Sequence, residues 1–177
     1  MAKFWLEGEQ LKSDEDLGKF NAFQKNKITE GLQKGLDVSA YAKSNFSYEQ
    51  MEVIMQGLEE GIDVSVYANP AIGAQRMSIV RKGLAEGLDA SKYANPEFDM
   101  YQMLTLYKGL SNNLDITACS NPALSIGQMS AILKGVEKGL DASKFSDPAL
   151  SQKEIESIIS SLAPADNSSD TPKPMSI

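Results

Sequence analysis

Histidine is absent from the 177 residues of this chain. The chain therefore lacks the side chain that most often acts as a general base near neutral pH and the commonest nitrogen ligand of metals. It has one cysteine, Cys119, and a single cysteine cannot form a disulfide within the chain, which fits a reducing compartment. Both absences make an enzyme the least favoured class. We expect a non-catalytic protein with no cofactor and no metal.

Long apolar runs are missing as well. No run approaches the roughly 18 apolar residues that a membrane span requires, and the first residues, MAKFWLEGEQ, lack the apolar stretch of a secretory signal. With 42% hydrophobic and 23% charged residues, the chain has the composition of a globular protein. We therefore expect a cytoplasmic protein without a membrane partner.

Positive charge is scarce in one segment. The net charge is −7, and no lysine or arginine occurs between Ser44 and Gln75. That segment carries five acids, Glu49, Glu52, Glu59, Glu60 and Asp63. An acidic surface repels phosphate backbones and attracts basic protein grooves, so we expect a protein partner, with nucleic acid as a secondary possibility. The alternative is a solvated face that contacts nothing.

What the sequence does contain is a repeat. The motif GLDVSAYAK at 35–43 recurs as GIDVSVYAN, GLDASKYAN, NLDITACSN and GLDASKFSD, each copy 26 residues after the previous one. Flanking residues keep the same step, for example Met51, Met77, Met103 and Met129. A phase held over five copies is the signature of a repeat architecture.

Each unit has helical periodicity. Met51, Ile54, Met55 and Leu58 stand at i, i+3, i+4 and i+7, which places them on one helix face. We therefore predict an all-α solenoid of five 26-residue repeats, each a long helix of about 12 to 15 residues, a Gly turn and a short helix. The predicted domains are an N-terminal capping segment at 1–19, the helical-repeat domain at 20–162 and a disordered tail at 163–177.

The second unit shows the local roles that we predict for every unit. Pro70, after Asn69, begins the long helix. Gly61 ends a helix in the left-handed conformation. Asp63 caps the short helix, and Tyr67 packs that helix onto the long one. The earlier glycines sit in mid-helix, where we predict close approach of a neighbouring backbone; they are Gly31, Gly57, Gly83, Gly109 and Gly135.

Several chemical interpretations of the repeated residues are unfavourable. One aspartate per 26 residues does not supply the six or more oxygens of a calcium site. Cys119 takes the place of the packing aromatic, so we expect a buried side chain and not a nucleophile. The four in-phase methionines are expected in the core. Lys82, Lys108 and Lys134 share one repeat position, but Gln56 interrupts the row, so they are weak evidence for nucleic-acid binding.

Since repeated positions explain structure, function should lie where the units differ. Trp5 lies outside the repeat, and the sequence leaves two roles open for it: covering the first unit together with Phe4 and Leu6, or anchoring a partner. The candidate partner-binding residues are Glu49, Glu52, Glu59, Glu60, Trp5, Arg76, Arg81, Tyr101 and Tyr107.

The repeat also resembles known proteins. Residues 87–98, with GLDASKYANPEF, resemble a short Gly-Leu-Asp helical repeat of Gram-positive bacteria and their mobile elements, and the likeness covers roughly residues 20–162. With its FWLEGEQL segment, the chain is also similar to phage-derived anti-CRISPR inhibitors of Cas9. This resemblance implies an inhibitor of a bacterial defence nuclease that acts through an acidic surface, and it assigns no binding residues. The alternative is a structural or scaffolding module of a mobile-element or cell-surface assembly.

Overall fold

The computed structural model describes residues 3–163, and this part of the chain is mostly helical. Each α-helix starts 26 residues after the previous one and packs beside its neighbour in sequence. The α-helices are α1 (Ala22–Gln33), α2 (Tyr48–Glu59), α3 (Ala74–Ala85), α4 (Met100–Ser111), α5 (Ile126–Glu137) and α6 (Gln152–Leu162). The predicted disordered tail lies outside the described residues except for Ala163.

A short 3₁₀ helix precedes each long helix. The short helices span Leu17–Lys19, Val38–Ala40, Val64–Val66, Ala90–Lys92, Thr117–Cys119 and Ala142–Lys144. In the second unit the Asp63 carboxylate accepts the Ser65 amide at 3.0 Å, as predicted for an N-cap. The pKa of Asp63 lies below its usual value because the Ser65 hydroxyl and the Ser65 amide both donate to it. Asp89 differs, since it accepts only the Ser91 hydroxyl.

The predicted ends of the long helices are confirmed. Gly61 has φ +70°, its amide donates to Leu58 O at 3.1 Å, and the amide of Ile62 donates to Gly57 O at 2.9 Å. This pair of bonds is the Schellman motif, which satisfies the last carbonyls of a helix. The corresponding residues with positive φ are Gly35, Gly87, Asn113 and Gly139.

The predicted starts of the long helices are wrong. Pro70 lies four residues before α3, in a turn where the Ile72 amide donates to Asn69 O at 2.9 Å and the Ala71 amide to Asn69 Oδ1 at 3.0 Å. Proline fixes φ for the second position of a turn as readily as for the first of a helix. Ile72, only 1% exposed, then anchors the turn in the core.

The mid-helix glycine makes room for a side chain, and not for a neighbouring backbone as predicted. A Cβ on Gly57 would overlap the hydroxyl oxygen of Tyr67 and lie 2.9 Å from Val64 Cγ1, both within the same unit. The Tyr67 ring is fully buried, and its hydroxyl donates to Val53 O at 3.3 Å. Packing of Tyr67 between the short and the long helix is thus confirmed.

The N-terminal segment adds a β-hairpin that the all-α prediction missed. Strands β1 (Phe4–Glu7) and β2 (Gln10–Ser13) pair antiparallel around Gly8, which has φ +63°. The hairpin contacts α1, and Phe4 meets Phe20 edge to face at 5.8 Å between ring centroids. After the hairpin, the Ser13 hydroxyl accepts the Glu15 amide at 3.0 Å, and Asp16 caps the following 3₁₀ helix.

The in-phase methionines and Cys119 lie in the core. Met51, Met77, Met103 and Met129 are fully buried. Cys119 is fully buried too, and burial raises the pKa of its thiol to about 12.

Cys119 should therefore react slowly with a thiol reagent in the folded protein. At pH 8 we expect labelling by a disulfide reagent to be at least about a hundredfold slower than in denaturant, where the thiol has its ordinary pKa near 8.5. Absorbance of the released thiolate measures both rates. Equal rates in the two states would contradict the burial of Cys119.

Candidate functional site

Consecutive long helices run parallel and meet along seams on one surface, which we call the helix face. Lys27 of α1 pairs with Glu52 of α2, and Lys34 of α1 pairs with Glu59. Each of these pairs joins residues 25 apart in sequence.

Ion pairs join α1 and α2 along their seam. Glu30 lies 2.7 Å from Lys27 Nζ and 2.8 Å from Lys34 Nζ, in addition to the two pairs across the seam. The pKa of Glu30 is lowered because both lysines donate to it. At the N-terminal end of the same seam, the rings of Phe23 and Tyr48 lie 5.8 Å apart.

Polar contacts also link the next two seams. Arg81 of α3 forms an ion pair with Glu60, which follows α2. Tyr107 of α4 donates its hydroxyl to the carboxylate of Glu86, at 2.8 and 2.9 Å from its two oxygens. Lys82 Nζ lies 5.0 Å from the centroid of the Tyr107 ring, where a cation is attracted by the ring face.

Arg76 has a structural role that the sequence did not reveal. In the other units a glutamine at this position donates to two carbonyls of the turn before the next helix, as Gln50 does to Pro70 O at 2.9 Å and Ile72 O at 2.8 Å. Arg76 makes the same bonds to Pro96 O and Phe98 O at 2.8 and 2.7 Å. We call this contact the turn clasp. It occurs at Gln24, Gln50, Arg76, Gln102 and Gln128.

The α4–α5 seam is different. Among residues 3–163, no hydrogen bond or ion pair joins a side chain of α4 to one of α5, and the seam opens into a groove of about 510 Å³. The α5–α6 seam also lacks a side-chain link within this range, but its depression is only about 150 Å³. At the position that holds Glu60 in the second unit and Glu86 in the third, the C-cap of α4 is the uncharged Asn112.

The α4–α5 groove has an apolar floor and basic sides. Leu104, Leu114 and Leu133 line it, and Tyr101 and Ile126 stand at its N-terminal end, 60% and 40% exposed. Lys108 and Lys134, both exposed, line its C-terminal half. Glu137 is the one carboxylate among the lining residues. The groove is thus a locally basic, partly apolar site in a chain of net charge −7.

The structure separates the residues that the sequence proposed as one binding set. Glu52, Glu59, Glu60 and Arg81 form ion pairs within the chain, Tyr107 bonds to Glu86, and Arg76 forms a turn clasp. Glu49 is exposed and accepts the Ser47 hydroxyl at 2.7 Å. The Ser47 hydroxyl lowers the pKa of Glu49. Trp5, 46% exposed, lies on the hairpin beside Leu32 and Leu36. Only Tyr101 lies in the α4–α5 groove.

Sequence reasoning missed most of the groove. Lys108 and Lys134 were noted as members of a row, while Leu104, Ile126 and Leu133 were not singled out. A usable signal was present: residues 21 apart are Glu60 and Arg81 in the second seam and Glu86 and Tyr107 in the third, but Asn112 and Leu133 in the fourth. Comparing positions 21 apart in consecutive units would have indicated the open seam.

The described residues form two other concavities of similar size. One, of about 510 Å³, lies at the N-terminal ends of α2 to α4 and is lined by the caps Ser47 and Asp99 and by Arg76, whose polar groups already bond within the chain. The other, of about 520 Å³, lies beneath Trp5 where the hairpin meets α1.

Residues 3–163 contain neither a metal-binding cluster nor a membrane-spanning helix. No group of three or more cysteine, aspartate or glutamate side chains is arranged to hold a metal ion there. None of the helices in that range has the length and apolarity to cross a bilayer. Comparison with known proteins found no matching family model, curated protein or solved structure.

Proposed function

We propose that this chain is a non-catalytic helical-repeat protein that acts by binding another protein in the α4–α5 groove. The even 26-residue spacing of the helix starts supports a solenoid of five units. α6 would close its C-terminal end, because its inner residues Ile155 and Ile159 are buried while most of its outer residues are polar.

The observation that carries the proposal is the open α4–α5 seam. Exposed Tyr101 and Ile126 stand beside an apolar floor, and the cross-links that fill the first three seams are missing. Aromatic and aliphatic anchors next to a concave apolar surface are typical of protein-binding sites.

The resemblance noted above makes a Cas9-type nuclease the concrete partner, with the chain acting as an anti-CRISPR inhibitor encoded by a phage or another mobile element. The intramolecular pairing of Glu52, Glu59 and Glu60 changes how such an inhibitor would bind. These acids have cationic partners already, so we assign the main contact to the groove and a lesser, electrostatic one to Glu49.

The test compares two surface variants in nuclease inhibition and in co-elution with purified Cas9 at about 100 mM salt. Tyr101→Ala with Ile126→Ser removes two exposed groove side chains and should weaken binding at least about tenfold, as for the loss of interface anchors. Glu49→Lys should reduce binding less. Circular dichroism melting checks that both variants fold.

If the groove variant still inhibits the nuclease and Glu49→Lys does not, the groove is not the binding site and the acidic surface is favoured. If no Cas9 binds, the concrete partner is wrong. Pull-down from bacterial lysate with the same two variants then tests protein binding in general.

A further inference from the structure

We infer that the occupant of the α4–α5 groove is an acidic helical segment with a bulky apolar side chain one turn away from a carboxylate. This inference rests on the proposed protein-binding function and specifies the chemistry of the partner.

The apolar half of the recognition site is the floor near Leu104 and Leu133. These side chains lie between Tyr101 at one end and Leu114 at the other. Gly109 lets α4 pack closely against Leu133, since a Cβ at that position would lie 3.1 Å from Leu133 Cδ2. A bulky aliphatic or aromatic side chain of a partner would be buried here, with a gain of about 1.5 to 3 kcal/mol if burial were complete.

The charged half is formed by Lys108 and Lys134. Lys108 lies one turn after Leu104 on α4, and Lys134 occupies the same register on α5. Neither ammonium group has a hydrogen bond or ion pair within residues 3–163, unlike Lys27 and Lys34 of the first seam. Two free cations beside an apolar floor are complementary to a segment whose carboxylate follows an apolar residue at i+4.

The shape of the groove fits a helix. The α4 and α5 helices are parallel and 12 residues long, so the groove between them extends about 18 Å, or three helical turns. An amphipathic helix placed in such a groove presents anchors at i, i+4 and i+7. A partner segment of about 12 residues is therefore sufficient.

Two other occupants fit less well. A nucleic-acid strand would need the whole lysine row, but Lys82 lies over the Tyr107 ring and Glu137 lines the groove. A second copy is poorly complementary through its α1–α2 seam, because Glu52 and Glu59 are paired there with Lys27 and Lys34.

The experiment measures fluorescence anisotropy of two labelled helical peptides with the full-length protein. In one peptide leucine and glutamate alternate at i, i+4 spacing; in the other every glutamate is replaced by lysine. The acidic peptide should bind at least about tenfold more tightly, a difference of about 1.4 kcal/mol. Lys108→Glu with Lys134→Glu should reverse this preference. Lys82→Glu, at the same register outside the groove, is the matched control and should keep it.

Binding of both peptides with equal affinity, or of neither at about 1 mM, which corresponds to roughly −4 kcal/mol, would overturn the inference. Displacement of the acidic peptide by a single-stranded oligonucleotide would also overturn it. So would a loss of the preference for the acidic peptide in Lys82→Glu as large as in the Lys108→Glu, Lys134→Glu variant. Dimer formation that depends on Lys108 and Lys134, seen by analytical ultracentrifugation, would replace the acidic partner by a second copy. If the Tyr101→Ala, Ile126→Ser variant loses its protein partner while neither peptide binds, the proposed function stands and the inference falls.

Discussion

Replacing Gly57 with alanine is expected to lower the free energy of unfolding by about 2 kcal/mol. The added Cβ would overlap the Tyr67 hydroxyl and approach Val64 Cγ1, and overpacking of this kind costs about 1 to 3 kcal/mol. Loss of the hydrogen bond from Tyr67 to Val53 O destabilises the fold by about a further 1 kcal/mol. The higher helix propensity of alanine stabilises it by about 1 kcal/mol. Denaturant titration followed by circular dichroism measures the change.

A double-mutant cycle identifies the atom responsible. In a Tyr67→Phe background the alanine should cost about 1 kcal/mol less, because the overlapping oxygen is gone and the ring carbon would lie 3.2 Å away. Gly127→Ala is the matched control, since a Cβ there meets only the exposed end of Gln152, and it should be close to neutral. Strict additivity in the cycle, or a neutral Gly57→Ala, would show that Tyr67 does not pack against Gly57.

Gln50→Glu should destabilise the protein by about 3 kcal/mol. The carboxylate still accepts the Ser47 amide, but it no longer donates to Pro70 O and Ile72 O. Two hydrogen bonds are lost at about 1 kcal/mol each, and the carbonyls, left unpaired beside a negative charge, add a further cost of about 1 kcal/mol. Thermal and chemical unfolding both report this change.

The chain contains a natural control for this variant. Glu154 occupies the same register in α6 and forms the same capping box with Ser151, but no turn follows within the described residues for it to clasp. Glu154→Gln should therefore change the free energy of unfolding by less than about 0.5 kcal/mol. An equally small effect of Gln50→Glu would mean that the turn clasp does not hold neighbouring units together.

Much of the helical part could be predicted from local signals. The glycine stops, with Asn113 in place of glycine, and the buried Tyr67 depend on short-range backbone geometry that repeats with the motif. The helix starts were wrong because Asn-Pro is compatible with a turn as well as with a helix start. The hairpin had a signal in alternating residues around Gly8, which the search for a helical repeat passed over.

The site was harder to predict because it depends on what lies opposite each residue. Glu52 and Glu60 lie in a segment of the sequence that has no lysine or arginine. The fold nevertheless places Lys27 and Arg81, from adjacent units, beside them. Arg76 differs from its counterparts in type but keeps their contact. The groove results from what α4 and α5 lack at equivalent positions, and only pairing the units in register shows this.

The most direct test of the groove as the protein-binding site is photo-crosslinking from two positions of equal register. A benzophenone amino acid replaces Tyr101 at the groove or Gln75 on α3, each the second residue of its helix. After irradiation in bacterial lysate, we expect one discrete protein adduct from position 101 that excess acidic peptide abolishes, and none from position 75. Equal adducts from both positions, or an adduct from position 75 alone, would contradict the groove as the binding site.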